Sequence, residues 1–220
     1  MTAAMLDGFP DTNLAPAVVV PDLPDPHRFG TILVDPPWNY ADTSRGEKLR
    51  GYSDQHYAPL STTDLCALPV GELAQDASVL LLWTTMPFLP DALRIIDAWD
   101  FTYVTALSWV KAGPDPKNGT VGYGVGYWFR GATELILVGK RKKSYRSQYV
   151  GLISPGLKHS RKPESIYEVA ETTYPGRRLE MFARRTRPGW TSLGNECPGD
   201  GKDIRRSIKK LVDTAKEAQS

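Results

Sequence analysis

Short apolar runs alternate with amphipathic stretches along most of this chain. Thr31 to Val34 is a β-branched run that stops at Asp35-Pro36-Pro37, where two consecutive prolines end any strand ladder. Ser78 to Trp83, with three leucines in a row, reads as a second strand buried on both faces. Tyr103 to Val110 and Thr133 to Val138 read as further strands, and Arg178 to Phe182 and Trp190 to Leu193 as short ones. Thr62 to Leu68 predicts a short helix, and Leu89 to Trp99 a longer one with Leu93, Ile96 and Trp99 at helical spacing. Pro163 to Thr172 predicts a third helix, its proline near the first turn. A last amphipathic helix is expected from Asp203 to Ala218, where Ile204, Ile208, Leu211, Val212 and Ala215 recur at helical spacing. Strands alternating with helices predict an α/β fold, a mostly parallel sheet flanked by helices. Such sheets bind ligands outside the carboxyl ends of their strands, which is where Asp35 stands.

The flanks divide the chain. Residues 1–26 are rich in Pro, Asp and Ala and read as an N-terminal arm, with Val18 to Val20 a candidate short strand. Residues 27–198 form one expected domain, and 199–220 a linker (Gly199 to Lys202) plus the last helix. At 41% hydrophobic and 10% aromatic residues the chain can bury an ordinary core, which excludes global disorder. The net charge of +2 announces no partner by itself. Basic clusters at Lys140 to Lys143, Arg184 to Arg187 and Arg205 to Lys210 suit phosphates or a solvated face equally well. Two cysteines without CxxC or Cys/His spacing, and His27, His56 and His159 without ligand spacing, predict no metal site and no disulfide. No basic-then-apolar leader and no membrane-length run occurs, so a cytoplasmic protein is expected. Whether the last helix packs on its own domain, on a second copy or on a partner subunit is open.

The sharpest chemical feature is Asp35-Pro36-Pro37-Trp38 directly after a hydrophobic strand. The exocyclic amine of a nucleobase is a poor nucleophile because its lone pair is delocalised into the ring. A carboxylate accepting one N–H and a backbone carbonyl accepting the other favour the developing ammonium-like nitrogen, most strongly where water is excluded. A proline brings no competing N–H and holds its carbonyl still. Trp38 offers a face on which an extruded base can stack. The same tetrapeptide also fits a proline turn with a capping Asp and a buried Trp. Gly122 to Gly126 lacks the strand-to-helix context of a dinucleotide loop, and the loop from Gly113 to Gly126 is expected to border a substrate channel.

Further motifs follow in order: Leu82-Trp83-Thr84, Trp109-Val110-Lys111, Gly126-Tyr127-Trp128, and Glu134 through Gly139. Then come His159 through Glu164, Leu179 through Arg184, and Leu193-Gly194-Asn195. From about Phe29 to Glu196 the chain resembles the MT-A-type N6-adenine methyltransferases. That family is related to the catalytic subunit of the mRNA adenosine methyltransferase and includes many bacterial and phage DNA enzymes. The resemblance implies a Rossmann-like methyltransferase fold with permuted motif order, S-adenosylmethionine as cofactor, no metal, and nucleic acid as partner. It implies a catalytic set of Asp35, Pro36, Pro37 and Trp38, and a substrate set of Tyr40, Tyr57 and Lys111. The implied cofactor set is Lys162 at the cofactor's carboxylate, with Phe182, Arg184, Asn195 and Glu196 around the adenosine. Glu196 stands where the mRNA enzyme has glutamine, Arg161 replaces a histidine, and Thr186 and Arg187 replace a His-Asn pair. Resemblance to free-standing prokaryotic and phage members favours DNA as substrate. The alternatives are RNA adenosine, a non-catalytic nucleic-acid-binding subunit, and a small-molecule methyltransferase.

Overall fold

The computed structural model describes residues 27–38, 60–112, 131–142, 152–155, 162–174, 176–197 and 203–218. Seven strands form one sheet in the order β5-β3-β4-β2-β1-β6-β7. In its interior β1 (Phe29–Val34), buried at every position, pairs in parallel with the central β2 (Ala74–Thr84) and with β6 (Arg178–Met181). Beyond β6 lies β7 (Trp190–Leu193), also parallel. On the other side β4 (Thr133–Lys140) runs antiparallel to both β2 and β3 (Thr102–Ala112), and β5 (Leu152–Pro155) pairs in parallel with β3. A mostly parallel sheet with helices is the expected class.

Side chains alternate across a sheet with a period of two, so each strand contributes to two cores. One face carries Ile32 and Val34, Leu80 and Leu82, Leu135 and Leu137, Leu179 and Met181. Against it pack α1 (Thr62–Cys66), α2 (Leu89–Ala98) and α4 (Ile204–Glu217), through Leu65, Ile95, Ile96, Ile208 and Val212. The other face carries Leu33, Val79, Leu81, Trp83, Trp109 and Ile136, covered by α3 (Ser165–Thr173) through Ile166, Tyr167, Val169 and Ala170. The last helix therefore lies on its own domain, started by the Asp203 side chain, which accepts from the backbone N–H groups of Arg205 and Arg206.

Two expectations need correction. The buried stripe of α2 is Ala92, Ile95, Ile96 and Trp99, while Leu93 is 37% exposed; Ile96 and Trp99 belong to it, but Leu93 lies a third of a turn away. β5 was not foreseen, because a four-residue strand ending in Ser-Pro has no periodicity to read. Val18 to Val20 and the Gly113 to Gly126 loop lie outside the described residues.

From β1 the chain crosses to β2 on one side, and from β6 to β7 on the other. The order reverses between β1 and β6. In open α/β sheets that reversal leaves a crevice outside the carboxyl ends of the two strands, and here these ends are Asp35 and Phe182.

Candidate active site

At the end of β1 the two prolines turn the chain sharply. The Trp38 N–H donates to the Pro36 carbonyl at 2.9 Å, and Leu60 N–H donates to the Pro37 carbonyl at 3.4 Å. A carbonyl has two lone pairs, and among the described residues Pro36 uses one. The turn drives Trp38 inward: its ring is 6% exposed and stacks on Phe88, centroids 5.0 Å apart and planes 17° off parallel. Trp38 thus packs in the apolar core with one ring face against Phe88, and is not among the residues that line the cavity described next.

Asp35 is left at the mouth of a cavity of about 390 Å³ lined by Leu33, Asp35, Trp83, Lys162, Tyr167, Glu180, Phe182, Arg184 and Arg185. That volume is within the range of small-ligand sites. The cavity opens on the α3 face of the sheet. Period-two alternation puts Asp35 with Leu33 on that face, and Glu180 there too, between Leu179 and Met181 of the opposite face.

Lys162, just before α3, reaches in. Its Nζ lies 3.1 Å from Asp35 Oδ1 and 2.9 Å from Glu134 Oε2, and 5.0 Å from the centre of the Trp83 ring. Glu134 Oε1 is 2.5 Å from Lys111 Nζ, which stands 5.2 Å over Trp109. Trp83 and Trp109 meet edge to face at 5.8 Å. Burial pushes Asp35 above the usual carboxylate range, and Lys162 offsets only part of that. Burial would also raise Glu134, but Lys162 and Lys111 outweigh it and hold Glu134 low. Lys162 loses hydration by burial, yet Asp35 and Glu134 keep it firmly charged.

Glu180 was not anticipated. Tyr167 OH donates to its Oε1 at 2.7 Å, while Oε2 is buried with no hydrogen-bond partner among the described residues. Burial pushes this carboxyl up to about 7, with the Tyr167 hydrogen bond opposing and the Asp35 charge adding. An acid inside a hydrophobic-looking strand, Leu-Glu-Met-Phe, was the available signal.

After β6, Phe182 turns the chain with a left-handed backbone (φ 62°) although buried to 4% exposure. Such strain in a non-glycine residue persists only where surrounding structure holds it. Here the Ala183 N–H donates to Leu193 O at 2.9 Å on one side. On the other, Arg187 is held by Glu171 and Glu164 at 2.8 and 2.9 Å and lies 4.3 Å over the Tyr167 ring. Arg185 pairs with Glu164 as well. Two members of the 184–187 cluster are thus spent on fastening this turn to α3, and Arg184 lines the cavity. Likewise Arg141 pairs with Asp100 and Lys142 with Asp76 at 2.6 Å, so these two cations of the 140–143 cluster are engaged with the domain's own carboxylates.

The structure therefore brings together Asp35, Lys162, Phe182 and Arg184 among the expected residues. Lys111 joins them through Glu134, not by lining the cavity. Asn195 and Glu196 follow β7, one strand further out, and Glu196 is exposed. Tyr40 and Tyr57 lie outside the described residues.

An acidic strand end followed by prolines, at the reversal point of a sheet whose cavity holds both ammonium and carboxylate groups, defines a small-ligand α/β protein. A profile of the MT-A70 family matches residues 29–196, and the chain belongs to that family. It is 28% identical over 178 residues to a putative N(6)-adenosine-methyltransferase MT-A70-like protein of Medicago truncatula, covering 78% of this chain and 27% of that protein. To the type II methyltransferase M.MunI of Mycoplasma sp it is 26% identical over 207 residues, 84% of each chain. To the human N(6)-adenosine-methyltransferase catalytic subunit METTL3 it is 27% identical over 180 residues, 78% of this chain and 29% of that protein. The chain thus spans under a third of the length of the two N(6)-adenosine-methyltransferases. No helix among the described residues is long and apolar enough to cross a membrane.

Proposed function

We propose that this chain transfers a methyl group from S-adenosylmethionine to the N6 amine of adenine in DNA. The observation that carries the reading is Asp35: a carboxylate at a strand end, lining the cavity, followed by a proline carbonyl that accepts a single hydrogen bond among the described residues. These are the two acceptors that an adenine amine needs as its nitrogen becomes cationic. The cavity residues fit the cofactor. Lys162 has three N–H donors, two of them engaged among the described residues, and is placed to hold a carboxylate. Glu180 presents a buried acceptor without a partner among the described residues, and Phe182 and Arg184, just after β6, also line the cavity. Asn195 and Glu196, after β7, would serve ribose hydroxyls. When bound, the cofactor supplies a methyl group on a sulfonium, activated without a metal. Asp35 accepts one N–H of the amine and takes the proton that the nitrogen sheds on methylation, the Pro36 carbonyl accepts the other N–H, and the apolar walls from Leu33 and Trp83 strengthen both contacts. Tyr40 and Tyr57 are proposed on the substrate side.

The DNA reading is supported by the match to the type II methyltransferase, which runs over 84% of both chains. RNA adenosine is the second reading, favoured by identity to the N(6)-adenosine-methyltransferases. The test is tritium transfer from labelled S-adenosylmethionine to double-stranded DNA, single-stranded DNA and RNA in parallel, with digestion to nucleosides. Label in N6-methyldeoxyadenosine is the expected result. Label only in RNA replaces the polymer, and label in no adenine sinks the activity.

A further inference from the structure

Lys162 is shared between two carboxylates, and the second has no role yet. Four groups alternate in sign across the α3 face: Asp35, Lys162, Glu134, Lys111. Glu134 and Trp109 are direct partners across β4 and β3, and Lys111 follows Trp109 by two residues, on the same face. Both ammonium groups stand over tryptophan rings that touch each other. The middle of this row is the most buried: Glu134 is 14% exposed and Lys162 18%, against 29% for Lys111 and 32% for Asp35, and each oxygen of Glu134 has its own lysine.

The contact between Lys162 and Asp35 is a problem for the proposed reaction. A full ammonium on the carboxylate that must accept the amine's N–H weakens that acceptor. It also opposes the positive charge growing on the nitrogen. We infer that Glu134 is a positioning residue that draws the Lys162 charge away from Asp35 and holds the ammonium against Trp83, with Lys111 clamping Glu134's second oxygen. This inference rests on the proposed reaction. It gives Lys111 a place behind the cavity instead of the substrate contact expected for it.

Because Glu134 acts through Lys162, its loss has two effects of opposite sign. Without the competing carboxylate, Lys162 settles on Asp35, and turnover falls. The cofactor's own carboxylate, however, gains a less neutralised lysine, so its affinity does not fall. The experiment compares wild type, Glu134→Gln, Glu134→Asp and Lys111→Met. It measures kcat on the polymer that wild type labels, melting temperature, and calorimetric binding of S-adenosylhomocysteine and of methylthioadenosine, which lacks the amino-acid end. For Glu134→Gln the expectation is a kcat on the order of 30-fold lower, with S-adenosylhomocysteine bound within about threefold of wild type or tighter, and methylthioadenosine unchanged. Glu134→Asp should recover part of the loss, and Lys111→Met should lose less than Glu134→Gln.

Wild-type kcat in Glu134→Gln overturns the inference. So does a tenfold or greater loss of S-adenosylhomocysteine with methylthioadenosine retained, which makes Glu134 a direct ligand. Loss of both ligands with a fallen melting temperature in all three variants assigns Glu134 a structural role only. If wild type binds S-adenosylhomocysteine but methylates no adenine, the functional reading fails. A tenfold or greater loss of S-adenosylhomocysteine relative to methylthioadenosine in Glu134→Gln then still overturns the inference.

Discussion

The two faces of the sheet are made by the same strands and by alternate residues of the same runs, yet they do different work. On the face covered by α1, α2 and α4, β1, β2, β4 and β6 present apolar residues to the helices, among them Ile32, Val34, Leu80, Leu82, Leu137 and Leu179. There the helices close tightly. Gly71 packs so near the end of α2 that a Cβ would sit 2.6 Å from Trp99 O, and Trp99 Nε1 donates to Leu65 O at 2.9 Å. The face under α3 is apolar only toward its middle. At the carboxyl ends of β1 and β6, where the strand order reverses, it presents Asp35 and Glu180, with Glu134 and Lys111 from β4 and β3 beside them. Burying a charge is costly unless it is paired: Asp35, Lys162, Glu134 and Lys111 are paired with one another, and Glu180 is shifted toward its neutral form. Stability is concentrated on one face and poised electrostatics on the other.

Substitutions that act on one face alone sharpen this contrast. Asp35→Ala should lower methyl transfer by about 1,000-fold or more, because an acceptor needed only in the transition state is gone. Calorimetry should show S-adenosylhomocysteine binding largely kept, and normal turnover would break the assignment of the α3 face to chemistry. On the opposite face, Trp99→Ala removes a fully buried ring and its hydrogen bond and should cost about 3–5 kcal/mol in urea unfolding. Cofactor affinity per folded molecule should stay as in wild type.

Glu180 makes the α3 face sensitive to pH. Its carboxyl sits at about 7 in the fold against an ordinary 4.5, so the fold favours its neutral form. Stability relative to Glu180→Gln should be fully present below about pH 4.5 and lost as pH rises through about 7, by about 3 kcal/mol at most. Urea melts of both proteins at pH 5 and pH 8 read the difference, and parallel curves would refute it. The smallest effect is expected at Leu93, the exposed apolar residue of α2: Leu93→Ala should change stability by less than about 0.5 kcal/mol, whereas a core position would lose several times that in the same melt.

Most strands and helices were legible because their patterns are local. Thr31 to Val34 must end at two prolines, and the spacing of Ile204, Ile208 and Val212 marks the buried side of α4 whatever it packs against. The reading failed where local pattern was too short or pointed two ways. The four residues of β5 show no period, and in α2 Leu93 looks as apolar as Ile95. Trp38 was read as a platform because its sequence neighbours suit a substrate site. One of its ring faces meets Phe88, which arrives from the turn after β2.

Asp35 at a strand end, the ordered motifs through Asn195 and the lysine before α3 were thus determined by the sequence itself, since each depends on residues adjacent in the chain. The tertiary structure decided which of them meet. Asp35, Glu134, Lys162 and Glu180 are far apart in sequence. Only the strand order, the antiparallel insertion of β4 and the two-residue alternation of each strand bring their side chains onto one face. Their charges then depend on one another in a way that no stretch of sequence contains, because Coulombic and desolvation energies are set by distance and burial rather than by position along the chain.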